Sequence, residues 1–299
     1  SNNETEERLV HLDDAPLFIP QLAIHLDREV NEKGLHLNKQ EHLCPIVGLT
    51  QESKTPLDVL ERLLKRHISF ESLLSFELFL VPKEPSQFVG ADNEMIASYR
   101  IDNLASAHLA LTALAITDSP AQHLMQMTLF FENEEVGSGS KEGAGSPFAN
   151  DVLQRICHSL KLDAEEAILL KNSSFCISLD MAHGLNPNYA KKHDTHNHPL
   201  LGKGIVVKYN ANQKYASNAL SASVVVHACQ QLKIPFQSYV CRADMPCGST
   251  IGPIFAQRTG INTVDIGCPQ LSMHSIREVM ACQDYLDMLR LLTYMTKEG

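Results

Sequence analysis

The sequence lacks any apolar stretch near the ~20 residues that a membrane-spanning helix needs, and no signal-peptide pattern opens it. It also lacks an excess of positive charge, because its formal net charge is −10. Nucleic-acid binding depends on basic patches, so this balance argues against a nucleic-acid partner. These absences predict a protein that acts on neither membranes nor nucleic acids.

The eight cysteines contain no Cys-x-x-Cys pair, and they form no compact disulfide framework for a chain of 299 residues. We therefore expect that the cysteines are reduced thiols and that the protein is cytoplasmic. The hydrophobic content of 44 % and the charged content of 20 % are ordinary for a globular protein. This length can bury one large core or two modest ones.

Strand and helix patterns alternate along the second part of the chain. Apolar runs predict strands at 123–131, 175–179, 205–209, 236–241 and 264–267, and helical periodicity predicts helices at 103–116, 150–161, 217–232 and 276–296. This alternation indicates an α/β fold, with a mixed or parallel sheet covered by helices. The first part is less regular. There we expect an extended segment at 17–24, a helix at 56–66, a strand at 75–81 and a domain boundary within 88–93.

The pair Glu134-Glu135 follows the apolar run 125–131, which we interpret as a buried strand. Open α/β sheets place their chemistry at the carboxyl ends of strands. Two like charges resist burial unless a cation or a shared proton compensates them. A metal ion would do so, with one carboxylate as ligand and the other handling a proton. The alternative is a solvated acidic turn, which this motif alone would favour.

Three further side chains near strand or helix ends suit zinc or a similar divalent ion: Asp102, Asp180 and His274. Each has a simpler alternative. Asp102 precedes an Ala- and Leu-rich helix and could cap it, and an isolated histidine such as His274 is more often a hydrogen-bonded, half-buried residue than a ligand. Spacing alone does not decide between these interpretations.

The sequence resembles the aspartyl aminopeptidases, which are dinuclear zinc peptidases. The similarity is carried in order by motifs spread over nearly the whole chain: Ile101-Asp102-Asn103-Leu104, Asn133-Glu134-Glu135-Val136-Gly137-Ser138, Asp180-Met181-Ala182-His183, Pro187-Asn188-Tyr189, Tyr215-Ala216-Ser217-Asn218-Ala219, Pro246-Cys247-Gly248-Ser249-Thr250 and Met273-His274-Ser275-Ile276-Arg277-Glu278. The resemblance implies a three-layer α/β/α zinc-peptidase sheet domain at 91–299. It also implies part of an inserted, mostly β dimerisation domain at 1–90, which includes Ile19 to Leu26.

The resemblance also implies roles for the acidic residues and for His274. Asp102 would bridge two metal ions, most simply zinc, with Glu135 and His274 completing one site and Asp180 belonging to the other. Glu134 would be the general base that takes a proton from the activated water.

Four more residues resemble groups that bind substrate. Lys208 would receive the acidic side chain of the first substrate residue, whereas a strand-end surface lysine is the simpler alternative. Tyr215 and His183 resemble substrate-binding groups. His25 resembles a residue that reaches a neighbouring subunit's active site, so a homo-oligomer built from dimers is expected.

One family motif is missing from the chain. The family's fifth protein ligand, in a His-Thr-Asp-Ser-Pro motif, has no counterpart here, and neither His11 nor His25 fits it. We therefore expect that the family's N-terminal segment is absent and that the second metal site is incomplete.

Three functions follow as hypotheses. The first is a metallo-aminopeptidase that removes N-terminal Asp or Glu from peptides. The second is a truncated, non-catalytic fragment that retains the assembly surface and at most one complete metal site. The third is a related dinuclear amidohydrolase with non-peptide substrates, against which Lys208 argues mildly.

Overall fold

The computed structural model describes residues 5–49, 55–118 and 124–298. Their contacts divide the chain into two units, Ser1–Glu84 and Pro85–Gly299. No helix within the described ranges is both long and apolar enough to cross a bilayer.

Unit 1 is built from short helices and extended segments. It contains α1 (Val30–Lys33), α2 (Lys39–His42) and α3 (Pro56–Leu64), and Phe18 forms a single antiparallel bridge with Ile46. The predicted helix at 56–66 is confirmed as α3, which begins with a capping box between Thr55 and Asp58. The predicted strand at 75–81 is wrong, because these largely exposed residues pair with no strand of the described chain. The described part of unit 1 therefore has less β structure than we expected for 1–90.

Unit 2 carries two mixed sheets covered by helices, which confirms the predicted α/β class. Its helices are α4 (Ile101–Ile116), α5 (Phe148–Ser159), α6 (Ala164–Ser173), α7 (Ala219–Leu232), α8 (Ile251–Thr259) and α9 (Cys282–Glu298). Its strands are β1 (Gln87–Val89), β2 (Met95–Ser98), β3 (Phe175–Leu179), β4 (Ala182–His183), β5 (Ile205–Tyr209), β6 (Phe236–Val240), β7 (Asn262–Gly267), β8 (Pro269–Leu271) and β9 (Glu278–Ala281).

The four-stranded sheet has the order β3-β7-β5-β6, and the five-stranded sheet has the order β1-β2-β9-β8-β4. In the first sheet β3 and β7 are parallel, β5 and β6 are parallel, and β5 runs antiparallel to β7. The main core lies between this sheet and helices α4, α7 and α9. Its most buried members include Leu109, Ile205, Val207, Val225, Val264, Ile266, Met288 and Leu291.

Two predicted elements of unit 2 differ from the structure. Residues 124–131 form no strand and are exposed or half-buried rather than buried, so the predicted buried strand before Glu134 is wrong over these residues. His123, at the start of that prediction, lies outside the described residues. The predicted helix at 276–296 begins only at Cys282, because Glu278–Ala281 form β9 between β2 and β8.

Candidate metal centre

Three side chains from separate loops of unit 2 meet at one point. Asp102 lies at the start of α4, Glu135 in the 3₁₀ turn Glu134–Val136, and His274 between β8 and β9. Each of these residues offers one ligand atom, and the three atoms all lie within 4.8 Å of one another. Among the residues that the structure describes, this is the one group of three metal-binding side chains that meet in this way. His274 Nε2 is 3.2 Å from Asp102 Oδ2 and 3.1 Å from Glu135 Oε1. Asp102 thus contacts His274, and the N-cap residue of α4 is Arg100 rather than Asp102.

The donor set fits a zinc ion. Zinc binds imidazole nitrogen and carboxylate oxygen at about 2.0–2.2 Å, so tetrahedral ligand atoms lie about 3.3–3.6 Å apart. The two measured separations are close to that value. Two carboxylates and one imidazole also match the ligand types that zinc takes in catalytic sites.

Asp102 is the most buried acid of the group, with 6 % of its side chain exposed. Its carboxyl group lies within hydrogen-bonding reach of Asp180. Burial, together with the negative charges of Asp180, Glu135 and Glu278, raises the pKa of Asp102 to about 8. A divalent cation would offset this repulsion and hold the group as a carboxylate. The electrostatics of the site therefore agree with its geometry.

Glu134 adjoins the centre without belonging to the ligand group. It precedes Glu135 in the same 3₁₀ turn and is half-buried. Desolvation raises the pKa of Glu134 to about 7, as do the charges of Asp180 and Glu135, whereas Lys208 and His274 act in the opposite direction. A carboxyl group that stands beside the ligands is placed to exchange protons.

Asp180 links the centre to a buried lysine. It follows β3, and its Oδ2 accepts a hydrogen bond of 2.9 Å from Lys208 Nζ. The same ammonium donates to the carbonyl oxygen of Met181 at 2.9 Å, and only 2 % of the Lys208 side chain is exposed. The alternative of a strand-end surface lysine is therefore wrong. Asp180 touches Asp102 on one side and Lys208 on the other.

Aromatic residues line the region around Lys208. Its Nζ lies 5.4 Å from the centroid of the Tyr215 ring, and Tyr215 packs edge-on against Tyr239 with centroids 6.1 Å apart. The ring of His183, on β4, lies 5.8 Å from that of Tyr239. Desolvation lowers the pKa of His183, and the positive charge of Lys208 lowers it further. His183 is therefore a neutral hydrogen-bonding group at neutral pH.

Several backbone conformations near the centre are unusual for residues other than glycine. Arg100, Asn133 and His274 have positive φ angles of 53°, 60° and 66°. Such conformations cost roughly 1–3 kcal/mol each and tend to occur at functional sites. Here they occur two residues before Asp102, directly before Glu134 and at His274 itself.

Glu278 holds two of these loops together, a role that its place in a sequence motif does not reveal. Its side chain is buried in β9, where Oε2 accepts the N–H of Asp102 at 3.0 Å and Oε1 accepts the N–H of His274 at 2.7 Å. One carboxylate thus fixes the main chain at two proposed ligands. Asn103 adds a bond of 2.8 Å from Nδ2 to the carbonyl oxygen of Leu179, next to Asp180.

His25 is the remaining predicted site residue, and the structure places it on an exposed turn of unit 1. The other residues named above belong to unit 2.

The sequence model of one peptidase family, described as aminopeptidase I zinc metalloprotease (M18), matches residues 1–294. The chain belongs to the M18 peptidase family. It is 38 % identical to a "Probable aspartyl aminopeptidase" of Ricinus communis over 93 % of this chain and 64 % of that protein. It is 40 % identical to the "Aspartyl aminopeptidase" of Dictyostelium discoideum over 93 % of this chain and 66 % of that protein.

A solved M18 aminopeptidase from Thermotoga maritima has the same fold, with a TM-score of 0.81 at 27 % identity over 97 % of this chain and 67 % of that one. Membership of the M18 family confirms the resemblance and the zinc-peptidase fold that the motifs implied. The chain spans about two thirds of the length of these relatives.

Proposed function

We propose that this chain carries the metal centre and proton-transfer group of a zinc aminopeptidase that removes Asp or Glu from the N-terminus of peptides. The observation that carries the proposal is the meeting of Asp102, Glu135 and His274 beside Glu134. The names of the plant and slime-mould relatives support the acidic preference.

The residues of the site have different roles in the proposed reaction. Bound zinc would polarise the scissile carbonyl and acidify a water molecule. Asp102, Glu135 and His274 would hold the ion, and Asp180, whose carboxyl group lies near that of Asp102, would belong to a second metal site. Glu134 accepts the proton of the attacking water and returns it to the leaving amine.

Lys208 supplies the preference for acidic residues in this proposal. Its ammonium lies close enough to Glu134 to lower the pKa of that carboxyl group. The positive charge of Lys208 therefore acts on the position at which the substrate would be cleaved. Tyr215 and His183 flank it and contribute hydrogen-bonding groups to the same pocket. Asp180 competes for the ammonium, and engagement of Asp180 by a second ion would leave more of that charge to the substrate.

We also propose a homo-oligomer built from dimers. Unit 1 exposes several large apolar side chains, which isolated soluble domains rarely leave uncovered in such number. The most exposed are Leu9, Leu49, Leu26, Phe79, Leu74 and Phe18. A cytosolic location is part of the same proposal, because all eight cysteines are free thiols.

The test is a Glu134→Gln exchange in the zinc-loaded protein. The ligands stay intact, so zinc content should stay normal, while turnover of peptides with an N-terminal Glu should fall at least roughly 10²–10⁴-fold. Glu132→Gln, on an exposed side chain of the same loop, is the matched control and should keep both properties. A Glu134→Gln protein with a near-normal rate would remove Glu134 from the mechanism.

The second candidate is a protein that binds metal without hydrolysing peptides. It is favoured by the pairing of Asp180 with Lys208, since in the described residues one three-ligand group is assembled and not two. Stoichiometric zinc binding without turnover in the parent chain, with that zinc binding lost in His274→Ala, would select this function.

A further inference from the structure

A pair of cysteines lies beside the aromatic side of the site. Cys241 directly follows β6, and Cys247 lies in the loop before α8. Cys241 Sγ lies 3.9 Å from the carbonyl oxygen of Met245 and 3.6 Å from that of Pro246, whose peptide bond leads into Cys247. The loop thus brings the main chain at Cys247 back to the thiol of Cys241, and the two thiols are close enough for each to affect the protonation of the other.

The pair packs on the residues that surround Lys208. Both cysteines are half-buried against the cluster that contains Tyr215 and Tyr239. The thiol of Cys247 contacts the hydroxyl oxygen of Tyr215 at 3.6 Å. Tyr215 also faces Lys208. A chemical change at the thiols that displaces the Tyr215 side chain would therefore alter the proposed substrate pocket around Lys208.

The accessibility of the pair separates it from three other thiols. Cys157, Cys229 and Cys268 are buried, so a dissolved oxidant does not reach them in the folded protein. Cys241 and Cys247 are partly exposed, and the Cys241 thiol already lies against the peptide unit that precedes Cys247. Access of this kind, together with formation of a thiolate, is what disulfide exchange requires.

We propose that Cys241 and Cys247 form a reversible redox site, in which a small disulfide such as oxidised glutathione joins the two sulfurs and loosens Tyr215. One protein thiolate attacks the small disulfide, forms a mixed disulfide and releases one small thiol. The other protein thiol loses its proton and attacks that mixed disulfide, which closes the bridge and releases the second small thiol. Two protein thiols are oxidised, one small disulfide is reduced, and the two protons reside on the released thiols.

Bridging has a direct consequence for Tyr215. It removes both S–H groups, so the Tyr215 hydroxyl loses its contact with the thiol of Cys247. A sulfur–sulfur bond of about 2.05 Å also draws Cys247 towards Cys241. The effect on catalysis rests on the proposed function. We expect KM for acidic peptides to rise roughly 2- to 10-fold, which is the effect of losing one hydrogen bond, and kcat to change less. The bridge also occupies a loop rather than the core, as labile disulfides do.

Peptide mapping tests the bridge without reference to activity. The native chain is incubated with oxidised glutathione, its remaining thiols are alkylated, and it is digested with trypsin. Cleavage after Arg242 places Cys241 in the peptide 234–242 and Cys247 in the peptide 243–258. We expect these peptides as a linked pair that reduction separates.

Serine variants supply the controls. The linked pair should vanish in Cys241→Ser and in Cys247→Ser, where the remaining thiol keeps a glutathione adduct, and it should persist in Cys282→Ser, which removes another partly exposed thiol. The exposed Cys44 reports that the oxidant worked. Adducts at Cys44 together with unlinked Cys241 and Cys247 would overturn the proposal.

A second measurement tests the coupling to tyrosine. The chain has seven tyrosines and no tryptophan, so tyrosine emission is observed directly. Bridging next to Tyr215 and Tyr239 should quench part of this emission in the parent chain but not in Cys247→Ser. A bridge with unchanged emission, or with an unchanged KM in an active preparation, would show that it does not act on Tyr215. An inactive preparation that still forms the bridge and quenches emission would contradict the proposed function alone.

Discussion

At the scale of single residues, the buried ammonium of Lys208 has two possible tasks, and one substitution distinguishes them. It either binds the carboxylate of the substrate's side chain or keeps Asp180 charged and oriented through their hydrogen bond of 2.9 Å. Lys208→Ala removes both effects, but only the first depends on the substrate.

Lys208→Ala should therefore lower kcat/KM more for peptides that begin with Asp or Glu than for peptides that begin with Ala. A desolvated charge pair is worth about 2–5 kcal/mol, which sets the expected size of the difference. Lys203→Ala removes the same charge from an exposed position nearby and should change neither value. Equal losses on both substrates, accompanied by loss of metal, would assign Lys208 to Asp180.

Glu278 offers a second prediction at this scale. In the structure, the two carboxylate oxygens of Glu278 accept hydrogen bonds from the N–H groups of Asp102 and His274. Glu278→Gln keeps only one oxygen acceptor, so one of these two hydrogen bonds is lost. Loss of such an outer hydrogen bond lowers metal affinity roughly 10- to 100-fold, and we expect that range for zinc in a competition titration with a chelator. Glu94→Gln, on an exposed side chain, controls for charge. Unchanged zinc affinity in Glu278→Gln would show that these two bonds do not position the ligands.

At the scale of secondary-structure elements, α9 is joined to the turn before β5 by one buried acid. Asp284 accepts the N–H of Gly202 at 2.7 Å and that of Gly204 at 2.8 Å. Gly204 has a φ of 92°, and a Cβ there would lie 1.9 Å from the carbonyl oxygen of Pro235, so this turn requires glycine. Burial raises the pKa of Asp284 to about 6, while the two glycine N–H groups oppose the rise.

This raised pKa predicts how stability depends on pH. The folded protein binds a proton at Asp284 more tightly than the unfolded chain, whose reference value is 3.8, so its contribution is full below that pH and is lost as the pH rises through about 6. The difference of about two units corresponds to at most roughly 3 kcal/mol. The free energy of unfolding of the parent minus that of Asp284→Asn should thus fall between pH 4 and pH 7 in urea titrations. A difference that stays constant or grows would contradict the assignment.

Elements with a strong local signal could be predicted from the sequence. The capped helix α3 and the β-branched run of β5 follow from their own residues. Residues 75–81 and 124–131 are as apolar as β5, but a strand needs a partner, and their sequence does not show whether one is present. The role of Glu278 could not be predicted either, because its bond to Asp102 spans 176 positions of the chain. Asp102, Glu135 and His274, which meet in the structure, were among the predicted ligands, because their residue types stand next to recognisable elements and the family resemblance names them.

At the scale of the whole molecule, the proposed dimer makes His25 and Glu134 parts of one site contributed by two subunits. His25 lies on an exposed turn of unit 1, where it is open to a neighbouring copy. In a dimer with exchanged surfaces, a subunit lacking His25 could receive it from a subunit lacking Glu134.

Mixing an inactive His25→Ala protein with an inactive Glu134→Gln protein should therefore restore activity. Random exchange makes half of the dimers mixed, and each has one intact site, so up to about a quarter of the parent activity is expected. Mixing either variant with itself is the control. Failure to recover activity, with subunit exchange shown by native mass spectrometry, would place His25 in its own subunit's site or outside catalysis.

The contacts of Glu278 have a consequence for how such a centre can change over evolution. Glu278 binds the main chain of positions 102 and 274 and not their side chains. These two hydrogen bonds therefore do not depend on which side chain stands at either position. Because ligand type governs which metal is preferred, exchanges at His274 could retune the centre from zinc towards harder or softer ions without redesign of the fold. A site organised in this way can acquire new chemistry one residue at a time.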